Sequence, residues 1–136
     1  MLSFLKKVIP SLGQKGEQMA QKEYQRKGYK IISENEFNRF GKQLGEIDFI
    51  AQKNNSLVFV EVKTRSTNLD TYGGPFEAVG KSKQSKLLKA TKLFLLKHPE
   101  FEKFNIQIDV CLIIMSDLDK TPRNVIILSN AVEDNF

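Results

Sequence analysis

The chain has 136 residues, with 21 Lys or Arg against 16 Asp or Glu, a net charge of +5 and a pI near 9.3. That length suits one ordinary domain with a real core, and the moderate basic excess suits a polyanionic partner. A single cysteine, Cys111, excludes an internal disulfide framework, and a single histidine, His98, excludes a histidine triad or a multi-histidine zinc site.

Residues 1–10 are apolar around Lys6-Lys7 but lack the sustained hydrophobic region and small-residue cleavage site of a signal peptide. No stretch approaches the roughly 18 apolar residues of a membrane span. The expectation is a soluble cytoplasmic protein, one domain over residues 1–136, with residues 1–12 open to being a flexible N-terminal segment. Residues 14–27 read as a helix closed by Gly28, with Glu17, Ala20 and Tyr24 on one stripe. A carboxylate thus stands where an apolar residue is expected, although a first-turn Glu also complements the helix dipole. Residues 29–33 read as a short strand and 34–44 as a polar connection.

Two alternating runs follow, Glu46-Ile47-Asp48-Phe49-Ile50 and Val58-Phe59-Val60-Glu61-Val62-Lys63, separated by a polar turn around Asn54-Asn55. This is the period-two pattern of a hairpin. A turn centred on Asn54-Asn55 makes paired residue numbers sum to 109, so Asp48 faces Glu61 and Glu46 faces Lys63 on one face. Ile47, Phe49, Ala51, Val58, Val60 and Val62 then form the apolar face, while Ile50 and Phe59 oppose each other on the polar one. Directly opposed like charges are destabilising, so a positive group is expected between Asp48 and Glu61, and a divalent cation is the simplest one. The alternative is an ordinary solvated face with Glu46 and Lys63 as a cross-strand pair.

Residues 64–74 form a polar loop with Asp70, Tyr72, Gly73 and Gly74. Residues 81–97 read as the longest helix, with Gln84, Leu87, Leu88, Thr91, Phe94 and Leu95 inward and Lys83, Lys86, Lys89, Lys92 and Lys97 on the outer surface. His98 falls beside Pro99 at its end. Residues 105–115 read as a strand carrying Asp109 and a buried Cys111, and 124–128 as another, joined by a turn over 117–122. The order gives an α/β domain, a central mixed sheet flanked by helices.

These residues carry a resemblance. From Gly16-Glu17 through Gly45-Glu46-Ile47-Asp48, Val60-Glu61-Val62-Lys63-Thr64-Arg65, Tyr72-Gly73-Gly74, Lys81-Ser82-Lys83-Gln84 and Asp109-Val110, the chain resembles the PD-(D/E)xK nuclease superfamily. More closely, it is similar to the YraN-type family of small bacterial proteins, related to archaeal Holliday junction resolvases. The resemblance implies a restriction-endonuclease-like fold, with Asp48 and Glu61 as metal ligands, Glu17 completing the site and Lys63 as the catalytic lysine. Gln84 matches a polar position on the second helix of some nuclease branches. Ile47 stands where the motif's name has proline, and Lys42-Gln43-Leu44 is not the Arg/Gly-rich stretch expected there.

The implied function is a nuclease, a hydrolase of DNA phosphodiester bonds that uses Mg²⁺ or Mn²⁺, with branched or repair intermediates as candidate substrates. Carboxylate oxygens suit such a hard cation, and the lysine can steady the attacking water and the phosphate's developing charge. Arg65, Tyr72, Lys81 and Lys83 are read as the candidate nucleic-acid contacts, with a homodimer left open and no membrane partner. A non-catalytic nucleic-acid-binding module and a protein whose carboxylates are a satisfied polar patch are the alternatives.

Overall fold

The computed structural model describes residues 12–37, 46–65, 80–116, 118–119 and 121–132. The elements are helix α1 (Leu12–Arg26), strands β1 (Lys30–Phe37), β2 (Glu46–Lys53) and β3 (Ser56–Arg65), helix α2 (Lys81–Lys97), a 3₁₀ turn (Pro99–Phe101), and strands β4 (Asn105–Met115) and β5 (Pro122–Leu128). The five strands form one mixed sheet in the order β1-β2-β3-β4-β5. Only the β3–β4 pairing is parallel. A parallel pair needs a crossover, and α2 lies in the chain between β3 and β4.

Alternation along the strands sends side chains to opposite faces, and each face meets its own helix. Ile50, Leu57, Phe59, Ile108, Val110, Leu112 and Ile114 pack with Leu87, Ala90 and Phe94 of α2. Phe49, Ala51, Val58, Val60, Cys111, Ile113 and Met115 pack with Ala20 and Tyr24 of α1. The result is a helix–sheet–helix sandwich, an α/β architecture compatible with a restriction-endonuclease-like fold. Phe49 and Phe59, on opposite faces, are each almost wholly buried, worth about 1.5–3 kcal/mol apiece against exposure.

Local chemistry ends the elements where the sequence indicates. Gly28 has φ 95°, a conformation glycine adopts without strain, and the amides of Gly28 and Tyr29 donate to the carbonyls of Gln25 and Tyr24 at 3.0 Å each. That pair of bonds is the Schellman closure of a helix. Asn54 turns the β2–β3 hairpin at φ 53°. Its register, from Lys53↔Ser56 to Phe49↔Val60, keeps paired numbers summing to 109.

Three expectations need correction. β1 runs on to Phe37, well into what read as a polar connection, because Glu34 and Glu36 pair with Phe49 and Ile47 along the sheet edge. β5 begins at Pro122, before the expected Asn124. Ile47 packs on the α2 side with Ile50 instead of sharing the α1 side with Phe49. Strict alternation is therefore lost around Asp48. Residues 1–11 and 66–79, which include most of the loop expected over 64–74, and most of the 34–44 connection lie outside the described residues. Among the described residues no helix is long and apolar enough to cross a membrane.

Candidate active site

The β2–β3 ladder's last pair is Phe49↔Val60, one step short of Asp48 and Glu61. The two acids are therefore not a regular cross-strand pair, as the hairpin pattern suggested. Asp48 Oδ2 instead accepts the backbone N–H of Val62 at 2.7 Å, so its carboxyl group reaches across to β3 where the ladder ends. Burial pushes Asp48 up to about 8, and the charge of Glu61 pushes in the same direction. The Val62 N–H opposes this rise, while the charge of Glu17 and hydrogen bonding with Glu61 add to it. A half-buried carboxyl beside the buried carboxyl of Glu61 is costly to ionise, which is the physical cause of the rise.

Glu61 is 6% exposed, and its Oε1 takes two ammonium groups, Lys83 Nζ at 3.0 Å and Lys63 Nζ at 3.5 Å. Its Oε2 is buried, and no N–H or ammonium donor reaches it. Lys63 reaches Glu61 from two residues along the same strand face. Lys83 comes from the first turn of α2 and corrects a second expectation, that it stands on the outer lysine surface. It lies four residues before Leu87, which continues through Thr91 and Phe94 as the buried stripe. That spacing was the signal in the sequence. Side-chain flexibility then lets an ammonium at the head of an apolar stripe reach inward.

Glu17 is half-buried on α1, where its charge acts on Asp48. Gly16 beside it allows the close approach. A Cβ there would meet Thr64 Oγ1 at 3.2 Å and Ile113 Cγ1 at 3.5 Å, so the glycine lets α1 lie against the C-terminal parts of β3 and β4. Gln84 is half-buried next to Lys83 on α2. Arg65 donates to the Thr64 carbonyl at 3.0 Å, and Lys81 is exposed in the first turn of α2. Tyr72 and the Glu46 side chain lie outside the described residues.

Among the described residues no three Asp, Glu, His or Cys side chains are gathered closely enough to enclose a metal ion. The Asp48–Glu61 pair fits a different mode. Mg²⁺ is commonly held by one or two carboxylates and keeps several of its waters. A buried Glu61 oxygen that no N–H or ammonium donor reaches, beside a half-buried acid whose ionisation is disfavoured, offers hard oxygen ligands of that kind.

A second buried acid, besides Glu61, is structural. Asp109 accepts from Tyr24 Oη at 2.6 Å, Gln107 Nε2 at 2.8 Å and the Asn130 amide at 2.9 Å, so its lone pairs are satisfied. It ties α1 to β4 and to the residues after β5. Burial, then Asp109, drive the Tyr24 hydroxyl far above its ordinary range, and the same two causes push the Cys111 thiol up to about 12. Neither is poised for reaction.

A five-strand mixed sheet between two helices gives an α/β class compatible with a restriction-endonuclease-like fold, here with an acid on β2, an acid-x-lysine run on β3 and a glutamate on α1. Residues 16–113 match the model of the Uncharacterised protein family UPF0102, and the chain belongs to that family, the YraN family. A UPF0102 protein of Natranaerobius thermophilus is 44% identical over 104 residues, covering 76% of this chain and 83% of that protein. One from Clostridium botulinum (strain 657 / Type Ba4) is 35% identical over 122 residues, covering 90% and 94% respectively.

Proposed function

We propose that this protein is a Mg²⁺- or Mn²⁺-dependent endonuclease acting on DNA phosphodiester bonds, with branched and repair intermediates as the substrates to test first. The observation that carries the reading is half-buried Asp48 beside buried Glu61, whose Oε2 no N–H or ammonium donor reaches while two lysines converge on its other oxygen. A purely structural pair of acids would be satisfied as Asp109 is.

Asp48 and Glu61 would hold the cation, with the Val62 N–H fixing the Asp48 carboxyl and Glu17 adding negative charge behind it. When bound, the cation supplies a polarised phosphoryl oxygen and a water of lowered pKa. Lys63 faces the same pocket through Glu61, where its ammonium can orient the attacking water and offset charge developing on the phosphate. Arg65, Lys81 and Tyr72 are the proposed backbone-phosphate contacts. These positions give affinity without sequence choice.

The test is cleavage of a panel of duplex, single-stranded, flapped and four-way DNA with Mg²⁺ or Mn²⁺. Lys63→Ala should retain cation binding and lose about 10²–10³-fold in rate. Asp48→Ala should lose cation binding and cleavage together while still binding DNA. Cleavage equal in all three proteins would point to a contaminant and leave the non-catalytic binding module as the better reading.

A further inference from the structure

We infer that Lys83 is the displaceable counter-charge of this site, holding Glu61 when no cation is bound and turning to a substrate phosphate when one is. Cation and polyanion binding would then reinforce each other through this side chain. The inference rests on the metal-dependent reading above and adds the regulation of that site.

Both lysines share one oxygen, Glu61 Oε1, and neither reaches Oε2. They differ in where they are anchored. Lys63 is on the same strand as Glu61, two residues away. Lys83 is on another element, which is the difference, since its side chain is 30% exposed, close to the 26% of Lys63 and well above the 7% of Glu61. Lys83 therefore has an open route to solvent that the buried acid lacks.

The surroundings of Lys83 favour an incoming anion. The first turn of α2 contains no acidic residue, and its N-cap, Gly80, makes no side-chain cap. Lys81 and Lys83 thus stand at the positive end of a helix of 17 residues, where cations are disfavoured unless an anion is near. At present Glu61 is that anion. A divalent cation held by Glu61 offsets its charge and repels both ammonium groups, which weakens the hold on the one free to leave. A nucleic-acid phosphate is a suitable new partner, and Lys binds it as a point charge.

Coupling between two ligands is reciprocal, so it can be read from either side. The first measurement is Mn²⁺ binding by paramagnetic resonance of the free ion, without DNA, for wild type, Lys83→Met and Lys83→Arg. Circular dichroism melts check that each variant is folded. Removing the competing charge should tighten Mn²⁺ binding by about fivefold in Lys83→Met, the upper end for a partly exposed ion pair, while Lys83→Arg stays near wild type. The second is anisotropy of a labelled DNA duplex with and without Ca²⁺. The affinity gained on adding Ca²⁺ should be present in wild type and largely lost in Lys83→Met. Unchanged or weaker Mn²⁺ binding by folded Lys83→Met, with wild type binding normally, overturns this inference alone. Failure of wild type to bind Mn²⁺ overturns the metal-dependent reading, and this inference with it.

Discussion

Replacing Asp48 by Asn should stabilise the protein, by an amount that grows with pH. In the folded chain this acid is pushed from an ordinary 3.8 up to about 8, chiefly by burial and then by Glu61. Because the folded value lies above the unfolded one, the native state holds a proton that the unfolded chain releases. The associated stability is full below about pH 4 and is lost as pH rises through about 8. At about 1.36 kcal/mol per unit the ceiling is about 5–6 kcal/mol. Asp48 is only half-buried and solvent screens part of this, so about 1–3 kcal/mol is expected at pH 9. Asn is neutral at every pH, and its carbonyl oxygen can still accept the Val62 N–H. The assay is urea unfolding of both proteins at pH 5, 7 and 9 with a chelator present. The stability gap should be small at pH 5 and widest at pH 9. Excess Mn²⁺ should narrow it, since a bound cation stabilises only the protein able to hold it. A gap independent of pH, or an Asn variant less stable at pH 9, would refute the picture of an acid whose ionisation is opposed by burial and by Glu61.

Tyr24→Phe removes one of three donors from buried Asp109 and should cost about 1–3 kcal/mol, read as a lower urea midpoint with unchanged slope and unaltered DNA affinity. If backbone phosphates dominate binding, DNA affinity should fall steeply and linearly on a log–log plot as salt is raised. A salt-insensitive affinity, or none at low ionic strength, would count against any nucleic-acid role.

Where periodicity controlled the outcome, the sequence was readable. α2 spans the expected residues 81–97, and the hairpin register follows from a turn at Asn54-Asn55. Gly28 marks the end of α1 because few other residues take its φ. Asp48, Glu61 and Lys63 could be brought together on paper because they lie on two strands joined by a tight turn. The departures occur where tertiary contacts override local pattern. Ile47 leaves its expected face as the β2–β3 ladder ends, and the Asp48 carboxyl then finds a backbone donor that no residue pattern encodes. β1 gains length from partners on β2 despite its polar sequence. Lys83 is drawn towards a buried acid on an element distant in sequence, and a lysine-rich helix conceals the lysine that reaches Glu61.

The site's components differ in how far apart they lie along the chain. Asp48 and Glu61 are brought together by a hairpin with a two-residue turn, which closes at little cost in chain entropy. Lys83 arrives only when α2 docks, and α2 is held on the sheet by Ile108, Val110 and Leu112 of β4 as well as by the hairpin. Detaching that helix would uncover Ile50 and Phe59 and strip Glu61 of a counter-charge in the same motion. Fraying of α2 is thus penalised twice, once by exposed hydrocarbon and once by an acid pair left with a single ammonium. The electrostatics of the pocket thereby bind α2 into the same cooperative unit as the central strands.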